Sequence, residues 1–156
     1  MSNTASSSGV MAGKKGLIMG VANDRSIAWG IAAKLAEQGA ELAFTFQGEA
    51  LQKRVEPLAA SVGSHLVIPC DVTDEASMDA TFDALKEKWG SLDFVLHAIA
   101  YSDKEELKGG YVDTSRDNFA RTMDISVYSF TDVARRSAAM MNDGGSMLTL
   151  TYYGAE

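Results

Sequence analysis

Short apolar runs alternate with longer amphipathic stretches along most of the chain. Four stretches carry apolar residues at helical spacing and are predicted as helices, over residues 26–38, 49–62, 74–89 and about 115–141. Five runs between them are apolar almost throughout and are predicted as strands, over residues 16–19, 42–46, 65–68, 94–99 and 147–151. Apolar strands joined by helices indicate a parallel sheet that is covered on both faces. The pattern therefore predicts a doubly wound α/β domain with a Rossmann-like parallel sheet.

Capping and breaking residues mark the predicted helix ends. Ser26 is the predicted N-cap of the first helix, and Gly39 ends it. Thr73 or Asp74 is predicted to cap the third helix. Pro57 lies inside the second stretch, where it is expected to kink the helix or to begin a new turn.

Composition limits the class of protein. A chain of 156 residues that is 46% hydrophobic is long enough for one domain with a sizeable core. Residues 1–12 are small and polar and are predicted to form a flexible tail, which leaves residues 13–156 for the domain. No apolar run approaches the ~20 residues that a membrane span needs. The net charge of −7 argues against a nucleic-acid surface, and the single cysteine, Cys70, favours a reducing cytoplasm over a disulfide-forming compartment.

The stretch GVANDRSIAWG at residues 20–30 follows the first predicted strand and leads into the first predicted helix. A pyrophosphate site needs a sharp turn, a close backbone approach and a free helix N-terminus. Gly20 supplies the turn, and Ser26 and Ile27 lie where the helix begins. The usual second and third glycines are missing, so an ordinary strand–helix connection explains this stretch equally well.

Three further positions follow other strands at the same edge of the sheet. Gln47 ends the second strand, where this fold faces the adenosine ribose, and no cation follows before Lys53, which favours NADH over NADPH. Asp71 follows the third strand and is either an acceptor for an adenine amino group or a turn aspartate. Ala98 and Ile99 lie where the strand order is expected to reverse, beside a cofactor or simply in the core.

Taken together, these segments resemble the short-chain dehydrogenase/reductases, and within them the enoyl-[acyl-carrier-protein] reductase branch of bacterial fatty-acid elongation. The resemblance spans residues 13–156 and is carried by GVANDRSIAWGIA, GAELAFTFQ, CDVTD, HAIAY, DISVYSF and LTLTYYGAE. The wide G-x5-S-I-A turn is specific to that branch, because ordinary members use G-x3-G-x-G. Ordinary members also carry N-N-A-G where this chain has HAIA.

The resemblance implies a site and a reaction. Ser102 falls where the family contacts its acyl substrate, and Tyr152 falls at the first of two active-site tyrosines. The implied reaction transfers hydride from NADH to the trans-2 double bond of an enoyl thioester on acyl carrier protein, without a metal. Full-length relatives are commonly tetramers. The implied cofactor-binding residues are Gly20, Ser26, Ile27, Gln47, Asp71, Val72, Ala98 and Ile99.

One family feature is absent from the sequence. The family's second tyrosine and its lysine, spaced Y-x6-K, come after the position of Tyr152, and no such pair follows Tyr152 in this sequence. The chain is therefore predicted to be the front portion of the reductase, truncated after about the fifth strand. Two alternatives stay open: a nucleotide-binding module without catalysis, and a different short-chain reductase that acts on a keto or hydroxyl group. His97 and Cys70 are predicted to be core residues rather than catalytic ones.

Overall fold

The computed structural model describes residues 9–153, and the five strands found there form one parallel sheet. The sheet order is β3-β2-β1-β4-β5, so the chain winds outward from β1 and then crosses back to β4. This order confirms the doubly wound prediction and puts the reversal of strand order between β1 and β4. The strands are β1 (Lys15–Met19), β2 (Glu41–Phe46), β3 (Leu66–Pro69), β4 (Leu92–His97) and β5 (Met141–Thr149).

Helices cover both faces of this sheet. Ile18 packs in a cluster with Ala32 and Val55 of the first two helices, whereas the adjacent Leu17 packs with Leu85 and Val133 of the third and fifth. Successive strand residues point to opposite faces, so each strand contributes to two separate cores. The helices are α1 (Ile27–Glu37), α2 (Glu49–Ser61), α3 (Glu75–Trp89), α4 (Arg116–Met123) and α5 (Ser129–Ala138), with a π-helical turn at Asp124–Tyr128 and 3₁₀ turns at Glu105–Leu107 and Tyr111–Asp113.

Some predicted boundaries are wrong. β4 ends at His97, so the next residues belong to a loop rather than to a strand. β5 begins at Met141, six residues before the predicted start, and four residues bulge out between the paired positions Met141 and Ser146. The polar sequence NDGG of that bulge carries no strand signal. The predicted helix over residues 115–141 is divided by the π-helical turn and ends at Ala138.

The capping and kinking predictions have mixed outcomes. Asp74 caps α3, since its Oδ1 accepts a hydrogen bond from the Ala76 N–H at 3.3 Å. Ser26 occupies the N-cap position of α1, but its side chain does not cap that helix. α2 is one continuous helix through Pro57, so no new helix begins at the proline. Val55 and Ala59, on either side of the proline, are fully buried, and this packing outweighs the hydrogen bond that proline cannot make.

The predicted tail of residues 1–12 is too long. The Met11 N–H donates to the Gln38 carbonyl at 3.0 Å, and the Met11 side chain packs against the core beside α1. Met11 therefore packs on the domain, and residues 1–8 of the predicted tail lie outside the described residues. Within residues 9–153, no helix is both long and apolar enough to cross a membrane.

Candidate functional site

A cleft of about 310 Å³ opens at the carboxyl edge of the sheet, where the strand order reverses. This is the place where open α/β sheets bind their ligands. Loops that follow four different strands form its walls, together with side chains from α2, α4 and the π-helical turn. Six of the predicted cofactor-binding residues line it: Gly20, Gln47, Asp71, Val72, Ala98 and Ile99.

Gly20 brings the loop after β1 into contact with the loop after β4. Its φ of +99° is a conformation that other residues adopt only with strain. A Cβ atom at this position would lie 2.0 Å from the Ala98 carbonyl oxygen. The Ala98 N–H donates to the Met19 carbonyl at 3.0 Å, which fixes the second loop in place. The two loops can approach this closely at the floor of the cleft only because Gly20 has no side chain.

Gln47 and Asp71 are hydrogen-bonded across the cleft wall. The Gln47 Nε2 donates to Asp71 Oδ2 at 2.8 Å. Asp71 Oδ1 accepts from the Thr73 backbone N–H at 2.9 Å and from its hydroxyl at 2.7 Å. Burial acts to raise the pKa of Asp71, but the hydrogen bonds from Thr73 and Gln47 outweigh it and lower that pKa below its ordinary value. The carboxylate is thus ionised and oriented, and the Gln47 amide oxygen stays available as an acceptor.

Ser26 and Ile27 lie at the N-terminus of α1 and are not among the residues that line the cleft. The Ser26 hydroxyl oxygen accepts hydrogen bonds from the Ala22 and Asn23 N–H groups, at 3.0 and 3.1 Å. The hydrogen of the Ser26 hydroxyl can therefore be donated to a ligand. α1 has no acidic residue in its first turn and no side-chain cap, so its positive end is not neutralised. Ile27 is 68% exposed.

Other lining residues escaped the sequence prediction, among them Tyr101, Arg121 and Ile125. The Tyr101 N–H donates to Ser126 Oγ at 2.9 Å, which joins the loop after β4 to the π-helical turn. The Arg121 guanidinium lies over the Tyr101 ring, 4.8 Å from its centroid. No local motif marks these residues, because Arg121 and Ile125 follow the loop by about twenty residues and reach the cleft only through the fold.

The two predicted substrate-side residues lie outside this cleft. Ser102 adjoins Tyr101 and accepts a hydrogen bond from Asn118 Nδ2 at 3.2 Å. Tyr152 lies beyond the carboxyl end of β5 and is 84% exposed. The structure therefore does not bring Tyr152 into contact with the cofactor-binding residues.

His97 is a core residue, as predicted. Its side chain is 1% exposed, with Nε2 2.7 Å from Ser129 Oγ and Nδ1 3.1 Å from Thr149 Oγ1. Because the Ser129 hydroxyl donates to the Ile125 carbonyl at 2.6 Å, we assign the His97 proton to Nε2. Burial lowers the pKa of His97, so the ring is neutral near pH 7. Cys70 is also buried, although one side of it faces the cleft.

Known proteins are similar to this chain in sequence and in fold. A family model described as Enoyl-(Acyl carrier protein) reductase matches residues 20–156. Enoyl-[acyl-carrier-protein] reductase [NADH] 1 of Rhizobium meliloti (strain 1021) is 70% identical over 152 residues, which are 97% of this chain and 56% of the relative.

Solved structures agree with this match. The enoyl-(acyl-carrier-protein) reductase of Anaplasma phagocytophilum, in complex with NAD, has a TM-score of 0.91 and 59% identity over 95% of this chain and 57% of its own. The enoyl-[acyl-carrier-protein] reductase (NADH) of Aquifex aeolicus VF5 has a TM-score of 0.92 and 49% identity, covering 95% of this chain and 59% of its own. The chain thus spans little more than half the length of these relatives, and it belongs to the enoyl-(acyl carrier protein) reductase family.

Proposed function

We propose that this protein takes part in the NADH-dependent reduction of the trans-2 double bond of enoyl thioesters carried on acyl carrier protein. The observation that carries the proposal is the cleft at the point where the strand order reverses, because it brings together residues that are separate in sequence but share one predicted ligand. The Rhizobium meliloti relative is named as an NADH reductase, and the Anaplasma phagocytophilum structure is in complex with NAD. Both support NADH as the cofactor.

The chain's residues fit a dinucleotide. Gly20 gives the backbone room to approach a pyrophosphate, and the uncapped N-terminus of α1, with Ser26 and Ile27, offers free N–H groups to it. Asp71 and Val72 form the adenine end of the cleft, whereas Ala98 and Ile99 form its nicotinamide end. NADH, when bound, supplies the hydride for the substrate β-carbon.

The Gln47–Asp71 pair supports a preference for NADH over NADPH. The Gln47 amide oxygen accepts a hydrogen bond from a ribose hydroxyl, but a phosphate has no proton to offer it. The Asp71 carboxylate adds repulsion toward a second negative group. Both effects act against a 2′-phosphate.

On the substrate side, we assign Ser102 to the acyl thioester and Tyr152 to the active-site edge. Tyr152 follows β5 at the same carboxyl edge of the sheet as the cleft. Negative charge on the thioester oxygen needs an oriented hydrogen-bond donor. The family pairs its second tyrosine with a lysine for this purpose, and no such Y-x6-K pair follows the Tyr152 position in these 156 residues.

The lack of the family's tyrosine–lysine pair in these residues favours one alternative, a nucleotide-binding module without catalysis. The cleft accounts for cofactor binding alone, whereas turnover needs a donor for the enolate. A reductase for keto or hydroxyl groups has less support, since the wide serine turn and the family match both point to enoyl thioesters.

We also propose that the protein is a homo-oligomer. Large apolar side chains spaced four residues apart along α4 and the π-helical turn are about half exposed: Phe119, Met123 and Val127. Such a stripe is typical of a helix that packs against a second copy. Val127→Glu is expected to lower the mass in analytical ultracentrifugation, whereas a wild-type monomer would contradict the proposal.

A cytoplasmic location is proposed from the thiol. Cys70 is buried and unpaired, a state that a reducing compartment preserves. Fractionation of cells with an antibody to the protein tests this location.

The function is tested with protein from the complete gene. We expect NADH oxidation when crotonyl-acyl carrier protein is added, with a lower kcat/KM for NADPH. NADH binding without turnover would instead support the binding module. Oxidation with a 3-keto thioester but not with the enoyl thioester would support the other reductase class.

A further inference from the structure

We propose that Arg121 is a further cofactor-binding residue, which attracts the anionic diphosphate of the dinucleotide from the α4 wall of the cleft. The inference rests on the proposed function and extends it to a residue far from the phosphate turn. Nothing in the GVANDRSIAWG stretch signals this residue.

The charge of Arg121 faces the cleft, where it helps to lower the pKa of Asp71. Among the side chains that line the cleft, Arg121 carries the positive charge and Asp71 the negative one. Within residues 9–153, no carboxylate lies within salt-bridge distance of Arg121. Arg136 differs, because Asp132 and two carboxylates of α3 surround it. The Arg121 charge is therefore balanced only in part, by Asp71 beyond salt-bridge distance, and can also attract an anionic ligand.

The fold holds Arg121 at this position. Asn118, three residues earlier, is buried and accepts the Asp103 N–H at 2.8 Å. Ser126, five residues later, bonds to both the N–H and the carbonyl of Tyr101, at 2.9 and 3.2 Å. These bonds tie the helix to the loop after β4 on both sides of Arg121, and its guanidinium rests over the Tyr101 ring. Little ordering of the backbone is then needed on binding.

The charge balance of the molecule explains why a cation is needed here. The chain has a net charge of −7, which repels a dinucleotide at long range. The N-terminus of α1 supplies only about half an elementary charge. Asp71 suits a neutral amino group rather than a phosphate. Arg121 adds a full charge and several N–H donors, a chemistry that matches phosphate oxygens.

The test measures dissociation constants of NADH, ADP and adenosine with protein from the complete gene. Arg121→Ala is expected to weaken NADH and ADP about tenfold, which corresponds to ~1.4 kcal/mol, and to leave adenosine unchanged. Arg121→Lys keeps the charge and is expected to restore most of the affinity. The salt dependence of ADP binding is expected to become shallower in Arg121→Ala. Arg116→Ala, on the same helix but outside the cleft lining, is the matched control.

Each outcome decides between explanations. Unchanged ADP affinity in Arg121→Ala, with wild-type binding intact, would overturn this inference alone. Equal losses for adenosine and ADP would mean that Arg121 packs on the base, which also overturns the diphosphate assignment. Absence of NADH and ADP binding by the wild-type protein would overturn the proposed function itself. Circular dichroism of every variant, with Arg121→Lys as the conservative change, separates these results from misfolding.

Discussion

At the scale of single residues, the proposed preference for NADH rests on the Gln47–Asp71 pair. Thr73 fixes the carboxylate, and the carboxylate in turn fixes the Gln47 amide. The amide nitrogen is used within the protein, and the oxygen remains for the ligand. We therefore propose that the pair recognises a hydroxyl through an acceptor and opposes an added phosphate through charge.

Replacing Gln47 tests this assignment. Gln47→Arg substitutes a cation that pairs with a 2′-phosphate, so the ratio of kcat/KM for NADPH to that for NADH is expected to rise about tenfold or more. Gln52→Arg adds the same charge on an exposed part of α2 and is the control. A ratio that moves equally in both variants would show an effect of overall charge, and a clear wild-type preference for NADPH would contradict the electrostatic argument.

Gly20 offers a second test at this scale. Gly20→Ala forces a Cβ against the Ala98 carbonyl in a left-handed backbone conformation, and we expect a loss of more than about 1 kcal/mol in the free energy of unfolding. Gly30→Ala in α1 meets no atom within 4 Å and is expected to stabilise the protein by ~0.5–1 kcal/mol. Urea denaturation of the two variants measures both effects. A Gly20→Ala variant as stable as Gly30→Ala would contradict the close approach.

At the scale of elements, the π-helical turn between α4 and α5 aligns two sets of contacts. Ser126 in the turn bonds to Tyr101, and Ser129, which begins α5, bonds to His97 in the core. The wider π-helical turn shifts the register of the residues that follow it. One continuous helical segment therefore contacts the loop after β4 through Ser126 and the sheet through Ser129. Thr149 on β5 completes the chain of hydrogen bonds, which joins α5, β4 and β5.

The buried His97 makes the stability of this segment pH-dependent. Because burial lowers its pKa in the folded state, the unfolded chain binds the proton more readily. The stabilising contribution is present above the unfolded pKa of about 6.5 and is lost as the pH falls below it. Urea unfolding at pH 7.5 and 5.5 is expected to show lower stability at 5.5. His97→Gln is expected to flatten that difference, and the exposed His65→Gln to retain it. An unchanged difference in His97→Gln would contradict this assignment.

At the scale of the whole molecule, the sheet separates two cores and leaves one edge for function. The loops after β1 to β4 meet in the cleft, whereas β5 has no neighbouring strand on its outer side within residues 9–153. Leu148 and Leu150, near its end, are 51% and 41% exposed. Parallel strands are ordinarily buried on both faces, and exposed edges promote association.

The 156-residue chain expressed alone is therefore expected to be marginally stable, to aggregate and to reduce no enoyl substrate. Loss of one oriented donor typically lowers the rate by about 10²–10³, and no Y-x6-K pair follows the Tyr152 position in these residues. NADH oxidation with crotonyl thioester is compared between this chain and the product of the complete gene. Similar rates for both would show that the catalytic donor lies within these residues.

The sequence by itself determined the class of fold and six of the residues that line the cleft. Apolar runs and helical spacing indicated the alternation of strands and helices, and parallel topology then brought Gln47 and Asp71 to one edge, because residues that follow parallel strands share that edge. These are local properties, which a linear pattern records.

Only the tertiary structure decided the features that depend on contacts between residues far apart in the sequence. The packing of α2 kept it continuous through Pro57, and the Ser26 hydroxyl turned from the helix to the loop behind it. Arg121 reached the cleft, and Tyr152 did not. The π-helical turn and the bulge in β5 also left no sequence signal. In each case the free energy comes from contacts between segments far apart in the chain, which local residue preferences do not contain.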